Sequence, residues 1–234
     1  MVRIALFQSQ TGIDPAANAE RVVAAIDQAA AEGSAMLFTP EMSGLLDRNS
    51  ERATSNIRVE EDDLVIAAAR NAAHAKGIWV HLGSIAVLTE GGQLANRSFV
   101  IDPRGEIRAL YDKIHLFDVD LPTGESWRES NTYRHGQEAV VVTGTPVGTL
   151  GLAICYDLRF PALFARLTEA NADVIAVPAA FTVPTGKAHW EVLLDMGDGA
   201  GVTVADIDLS RITDVRSRVP AISHRRPIEA AVAQ

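Results

Sequence analysis

Cysteine is almost missing from this chain. Cys155 stands alone among 234 residues, which excludes an intrachain disulfide and every zinc site built on paired cysteines. Lysine is nearly as scarce: Lys76, Lys113 and Lys187 are set against eighteen arginines. The net charge of -9 leaves no broad basic face for a nucleic acid, and the basic residues are scattered except at His224-Arg225-Arg226. No apolar run approaches the roughly 20 residues that span a bilayer. A strand-like segment starts at Val2, so no signal peptide is expected and the chain reads as a cytoplasmic protein without membrane or nucleic-acid partners. There is no G-x-S-x-G elbow, H-E-x-x-H pair, P-loop or dinucleotide fingerprint, which removes the corresponding hydrolase, protease and nucleotide-binding classes.

What is present is 47% hydrophobic sequence in alternating patterns, without linkers or repeats, which predicts one domain over 1–234. A strand over 2–8 leads to Asp14-Pro15, a cap followed by proline at the first helical position, and a helix to about Ala31, ended by Gly33. The strand 35–39 then runs into Pro40-Glu41. A polar loop precedes an alanine-rich helix at 62–76, stopped by Gly77. Strands follow at 78–86, 97–102 and 106–111, then a hairpin around Gly144 to Gly148 and a buried strand at 173–178. Helices alternate with strands early and hairpins dominate the middle, the pattern of a layered α/β sandwich rather than a doubly wound sheet.

Three residues fall at separate strand ends. Cys155 breaks the apolar run Gly151-Leu152-Ala153-Ile154, and the residues after it predict a helix over 158–169 capped by Asp157. A thiol between a strand and a helix start is expected to favour the thiolate. Glu41 follows the strand 35–39, at the carboxyl edge where α/β folds carry their chemistry. Lys113 follows Leu110-Tyr111-Asp112 and precedes Ile114-His115-Leu116-Phe117, a setting that suits a compact point charge better than arginine's planar fork. Together they can transfer an acyl group from an amide. Cys155 attacks the carbon, Glu41 moves the proton, and Lys113 with the backbone N–H of Tyr156 holds the oxyanion. This chemistry calls for no metal and no organic cofactor. A Cys-His pair using His115 is the minor alternative. Arg159 would either meet a substrate carboxylate or, as we expect, hold the helix start to Asp157 or another acid.

The segments Thr39-Pro40-Glu41-Met42, Asp112-Lys113-Ile114-His115-Leu116-Phe117-Asp118 and Cys155-Tyr156-Asp157-Leu158-Arg159-Phe160-Pro161 resemble those of the nitrilase, or carbon–nitrogen hydrolase, superfamily. Further agreement lies at Pro178-Ala179-Ala180-Phe181-Thr182, at Gly186 to Glu191 and at His224-Arg225-Arg226-Pro227. The resemblance implies an α-β-β-α sandwich with a Glu-Lys-Cys triad at Glu41, Lys113 and Cys155. It maps the family's supporting second glutamate onto Glu129. The lysine and cysteine motifs look most like the Nit branch, whose omega-amidases and deaminated-glutathione amidases release ammonia from small carboxylate-type amides. N-carbamoyl amide hydrolysis and nitrile hydrolysis are the alternative activities.

One departure from the family pattern stands out. After Glu191-Val192-Leu193-Leu194, relatives continue into a helix, two strands and their loops, whereas here Asp195-Met196-Gly197-Asp198-Gly199 follows directly. We therefore expect a family fold short of one helix and two strands, on the order of 40 to 55 residues. Such a loss opens a sheet edge and casts doubt on the homodimer usual in the family. It also sets a catalytically impaired or binding-only protein against the amidase reading.

Overall fold

The computed structural model describes residues 1–120, 126–181 and 199–210. Its elements alternate as the sequence suggests: β1 (Val2–Gln8), α1 (Pro15–Ala31), β2 (Met36–Phe38), α2 (Ser50–Asn56), α3 (Leu64–Lys76), β3 (Trp79–Leu88), β4 (Leu94–Ile101) and β5 (Ile107–Asp112). The short strands β6 (Asp118–Asp120), β7 (Ser126–Arg128) and β8 (Tyr133–Arg134) precede the hairpin β9 (Val141–Thr145) and β10 (Gly148–Leu152). Then come α4 (Pro161–Glu169), β11 (Val174–Ala176) and β12 (Gly201–Ile207). Local chemistry sets these boundaries. The Asp14 carboxylate accepts from Ala16 N and Ala17 N at the start of α1, Asp63 does the same for α3, and Gly77 ends α3 in the left-handed region at φ 65°.

The large sheet runs in the order β12-β1-β2-β3-β4-β5, with β8 also pairing with β4. The small sheet is β11-β10-β9, parallel between β10 and β11 and antiparallel between β9 and β10. Helices α1 and α3 bury Val22, Ile26, Val65 and Ile66 against one face of the large sheet, with Leu37, Leu82 and Phe99 below them. Its other face meets the small sheet through Met36, Val100, Tyr111, Leu150, Leu152 and Ile154. Behind the small sheet lies α4: a Cβ at Gly151 would touch Ala172 and Leu167 at 3.2 and 3.4 Å. The layers are therefore α, β, β, α, and they form because each sheet has two apolar faces to cover.

Two expectations need correction. Residues 155–159 form a 3-10 turn rather than the start of a helix, and α4 begins at Pro161. Phe160, which makes no side-chain cap, precedes α4, and the Asp157 carboxylate is drawn into the interior instead. The polar stretch expected to be a loop contains α2, held by Asn49 accepting from Arg52 N and by an Asp47–Arg52 ion pair. No residue of α2 is buried, so it carries no apolar period to read.

Along β11, one side pairs with β10, and among the described residues no strand pairs with the other. A cleft of about 340 Å³ opens there, between β1–β3 and β11, lined by Ile4, Phe38, His81, Val174, Ala176 and Pro178 among others. The Leu194–Asp195 junction, the Gly186–Glu191 motif and the His224 motif lie outside the described residues.

Candidate active site

The large sheet delivers Glu41 and Lys113, and the small sheet delivers Cys155. Glu41 follows β2 through Pro40, where Thr39 N still bonds to His81 O at 3.0 Å. Lys113 follows β5, its backbone N–H bonding to Asn96 O on β4 at 2.9 Å. Cys155 follows β10 and bonds through its N–H to Pro178 O at 2.8 Å, just beyond β11. The backbone at Cys155 is left-handed (φ 50°), as it is at Met42 (φ 55°) beside Glu41. For a side-chain-bearing residue this is a strained conformation, and such strain gathers at functional sites.

Close approach of the two sheets matters here. A Cβ on Gly83 would stand 2.1 Å from Thr39 O, 2.5 Å from Pro40 O and 2.6 Å from Pro178 Cβ. Only glycine lets β3 pass beneath the segments that carry Glu41 and support Cys155.

All four side chains picked out by the sequence converge. Lys113 Nζ donates to Glu41 Oε1 at 2.9 Å and to Glu129 Oε2 at 2.8 Å. Glu129 lies in the short turn after β7 and also accepts from Phe117 N at 2.7 Å. Glu41 Oε2 accepts from Ala180 N at 2.9 Å, and the Glu41 carboxylate stands beside the Cys155 thiol, close enough to act on its proton. Lys113 is 2% exposed, and Glu41 and Cys155 are 6% exposed, so these charges act in a medium far less screening than water.

The electrostatics correct one expectation. Burial pushes the Cys155 thiol well above its ordinary value, the Glu41 charge adds to this, and Lys113 only partly opposes it. Cys155 is therefore held as a thiol rather than as a standing thiolate. Burial alone would lower the Lys113 ammonium, but the charges of Glu41 and Glu129 outweigh it and hold its pKa above the usual lysine range. Burial and the nearby Glu129 and Glu41 push the Tyr133 hydroxyl up to about 12, keeping it neutral.

Four residues of this centre have roles that the sequence does not announce. Asn96 on β4 donates from Nδ2 to Glu41 Oε1 at 3.0 Å and to Glu129 Oε1 at 3.1 Å. Tyr133 lies near both carboxylates, and Ala180 acts through its backbone alone. Asp157 is fully buried. It accepts from Tyr111 OH at 2.7 Å, His115 N at 3.0 Å and Ile154 N at 2.9 Å, and its Oδ1 lies 2.7 Å from His115 Nδ1. It thus ties the cysteine turn to the lysine loop. His115 stacks on Phe160 at 3.7 Å, and Tyr156 meets Phe117 and Phe160 edge-on. Among the described residues, no three His, Cys, Asp or Glu side chains gather in a way that would hold a metal ion, and no helix is long and apolar enough to cross a membrane.

Known proteins share this pattern. The carbon-nitrogen hydrolase family profile matches residues 3–200. A deaminated glutathione amidase of Yersinia enterocolitica is 39% identical over 194 residues, 82% of this chain and 67% of that protein. A probable hydrolase, nit2, of Schizosaccharomyces pombe is 39% identical over 170 residues, 72% of this chain and 62% of its own length. A deaminated glutathione amidase of Synechocystis aligns at 32% identity over 247 positions, 86% of this chain and 89% of that protein. In structure, the Caenorhabditis elegans NitFhit protein superposes with a TM-score of 0.85 at 27% identity, covering 96% of this chain and 65% of that one. This chain thus spans about two thirds of several of its relatives. The Synechocystis alignment is longer than the chain's 234 residues. Since 86% of 234 is about 201, about 46 of its 247 positions have no residue here. With three motifs, one fold and one profile in agreement, the chain belongs to the carbon-nitrogen hydrolase family, and its relatives are of the Nit, deaminated glutathione amidase branch.

Proposed function

We propose that the protein hydrolyses the amide of a small carboxylate-bearing molecule and releases ammonia, with Cys155 as nucleophile, Glu41 as general acid and base, and Lys113 as the oxyanion's counter-charge. The observation that carries this reading is the single carboxylate of Glu41 in contact with both the Cys155 thiol and the Lys113 ammonium. A thiol of raised pKa is a weak nucleophile until a base takes its proton at the moment of attack. The nearness of Glu41 to that thiol supports its making the transfer. As the C–S bond forms, its new proton goes to the amide nitrogen, the C–N bond breaks, and ammonia leaves a thioester on Cys155. Water then attacks, giving a proton to Glu41, and the thioester collapses to the acid with the proton returned to sulfur.

Lys113 supports both steps. An ammonium has three protons. Two of them point at Glu41 and Glu129, so the third is available to an oxyanion, which Tyr156 N–H would share. Glu129 orients the ammonium.

The test is ammonia release from α-ketoglutaramate, succinamate and deaminated glutathione, with an N-carbamoyl amide and a nitrile alongside, for the protein and Cys155→Ala. Release abolished by the substitution, with an acyl adduct on Cys155 by mass spectrometry, is the expected result. Turnover that persists in Cys155→Ala would refute the mechanism, and preference for the carbamoyl compound or nitrile would move the substrate class.

A second reading, a catalytically impaired or binding-only protein, draws on the alignment shortfall and on the cleft that the described residues leave beside β11. We place the missing helix and two strands at the Leu194–Asp195 junction. Folded protein that binds amides without releasing ammonia would favour this reading.

A further inference from the structure

We propose that Asn96 is the positioning residue of the site, holding the Glu41 and Glu129 carboxylates in register around Lys113 so that Glu41 presents Oε2 to the nucleophile. Its effect on turnover rests on the amidase reading above; its effect on Cys155 does not. The side chain is fully buried, and its amide nitrogen divides its two protons between the carboxylates, at 3.0 Å to Glu41 Oε1 and 3.1 Å to Glu129 Oε1. Its backbone carbonyl receives the Lys113 backbone N–H at 2.9 Å. One residue of β4 therefore touches Glu41, Glu129 and Lys113.

The bond directions show what this achieves. Glu41 Oε1 accepts from both Asn96 and Lys113, while Oε2 accepts from Ala180 N. With Oε1 doubly occupied, proton exchange with sulfur is left to Oε2. Without Asn96 the two like-charged carboxylates would share only the ammonium of Lys113, and the Ala180 N–H would be left as the one neutral donor restraining Glu41 from turning away from Cys155. A neutral donor of two protons holds them both and adds no charge.

The unused end of the same amide separates this role from a purely structural one. Asn96 Oδ1 is buried and has no hydrogen-bond partner. Turning the amide over would aim that oxygen at two carboxylates, so the orientation is fixed by chemistry. A buried orphan acceptor weakens the fold, so this amide serves its two N–H groups at the expense of stability.

The experiment compares Asn96→Ala, Asn96→Asp and Asn96→Ser with the parent chain. Cys155 alkylation by iodoacetamide is followed at one neutral pH, and kcat and KM are measured for the amide that the parent hydrolyses. Asn96→Asp keeps the shape and removes the amide donors; Asn96→Ser keeps one donor. We expect Ala and Asp to slow alkylation and kcat together by about 100-fold, the cost of about 1 Å of misplacement, with KM moving by less than about threefold. Ser should fall between. Parent-like alkylation and kcat in Asn96→Asp, or a loss confined to KM, would overturn the assignment. Should Asn96→Ala not fold, Ser and Asp give the same reading, and failure of all three to fold would make Asn96 a residue of the fold and overturn it too. If the parent releases no ammonia yet its variants lose alkylation, Asn96 keeps its role and the amidase reading fails. If the parent turns over amide and the variants alkylate at the parent's rate, the amidase reading stands and Asn96 loses its role.

Discussion

Replacing Lys113 with methionine keeps most of the side chain's length and deletes its charge. Lys113 is 2% exposed, and its ammonium is the counter-charge for two carboxylates whose side chains are only 6% and 13% exposed. Removing one member of a buried ion pair costs about 3–5 kcal/mol, because the remaining charge stays desolvated. A domain's whole margin is about 5–15 kcal/mol, so Lys113→Met should fold with much of its stability gone. The pH dependence identifies the cause. In the parent, the Lys113 pKa is raised above its ordinary value, so its contribution is complete below the usual lysine range and is lost only as pH rises through the folded value. Between mildly acidic and mildly alkaline pH the parent should show no slope from this group. In the variant, protonating one carboxylate relieves the uncompensated charge, so acid should narrow the gap from the parent. Urea denaturation followed by circular dichroism, at about pH 8 and about pH 5.5, measures both effects. Turnover should fall by at least 10²–10³-fold, the cost of losing an oxyanion donor. A variant as stable as the parent at the higher pH, or equally weakened at both, would show that Lys113 does not neutralise Glu41 and Glu129.

Glu41→Gln should leave the fold intact and abolish ammonia release, while Cys155 alkylation slows because the thiol has lost its base; normal alkylation would remove Glu41 from that role. Gly83→Ala should lower kcat by roughly 100-fold without touching the triad, because its methyl group would push against Thr39 O and Pro40 O; an unchanged kcat would show that the strand ends have slack. Asp157→Ala strands Tyr111 OH and the backbone N–H groups of Ile154 and His115. At about 1–3 kcal/mol for each buried orphan, chemical denaturation should register a loss of several kcal/mol, against about 1 kcal/mol for Tyr111→Phe. His81 is fully buried, and burial lowers its pKa to about 3. It therefore contributes stability that is present above the unfolded value and lost as pH falls toward the folded one. Going from pH 7 to pH 5 should cost about 2 kcal/mol through this group, and His81→Gln should flatten that part of the acid slope.

The parts of the site legible in the sequence are those with a chemical name and a fixed address. Cys155, Glu41 and Lys113 each follow an apolar strand, and the alternation of those strands with α1 and α3 is readable from caps and periodicity. Glu129 is reached only through the family resemblance, since the three-residue strands around it bury too little to leave a pattern. Asn96 looks like any polar residue within β4, and its importance arises from β4 lying between β3 and β5 under two carboxylates. Ala180 acts by a backbone N–H, which no residue type announces. Asp157 misleads because an aspartate before an apolar run has the signature of a helix cap, and here buried donors from Tyr111 and His115 outcompete that local use. The thiolate expectation fails for a related reason. Strand-to-helix position says nothing about how deeply sulfur is buried or that Glu41 stands beside it.

The proposed catalytic groups are divided between layers: Glu41 and Lys113 ride on the large sheet, and Cys155 rides on the small one. Their contacts, from Glu41 to the thiol and to Ala180 N, cross the seam between the two sheets. Chemistry here is accordingly a gauge of docking. Heat or urea that lets the three-stranded layer slip by an ångström would silence turnover while both sheets keep their hydrogen bonds, so inactivation should precede loss of secondary structure. The protein's working range is then set by the grip of one sheet on the other, and the flank of β11 that pairs with no strand among the described residues is where that grip has least to hold.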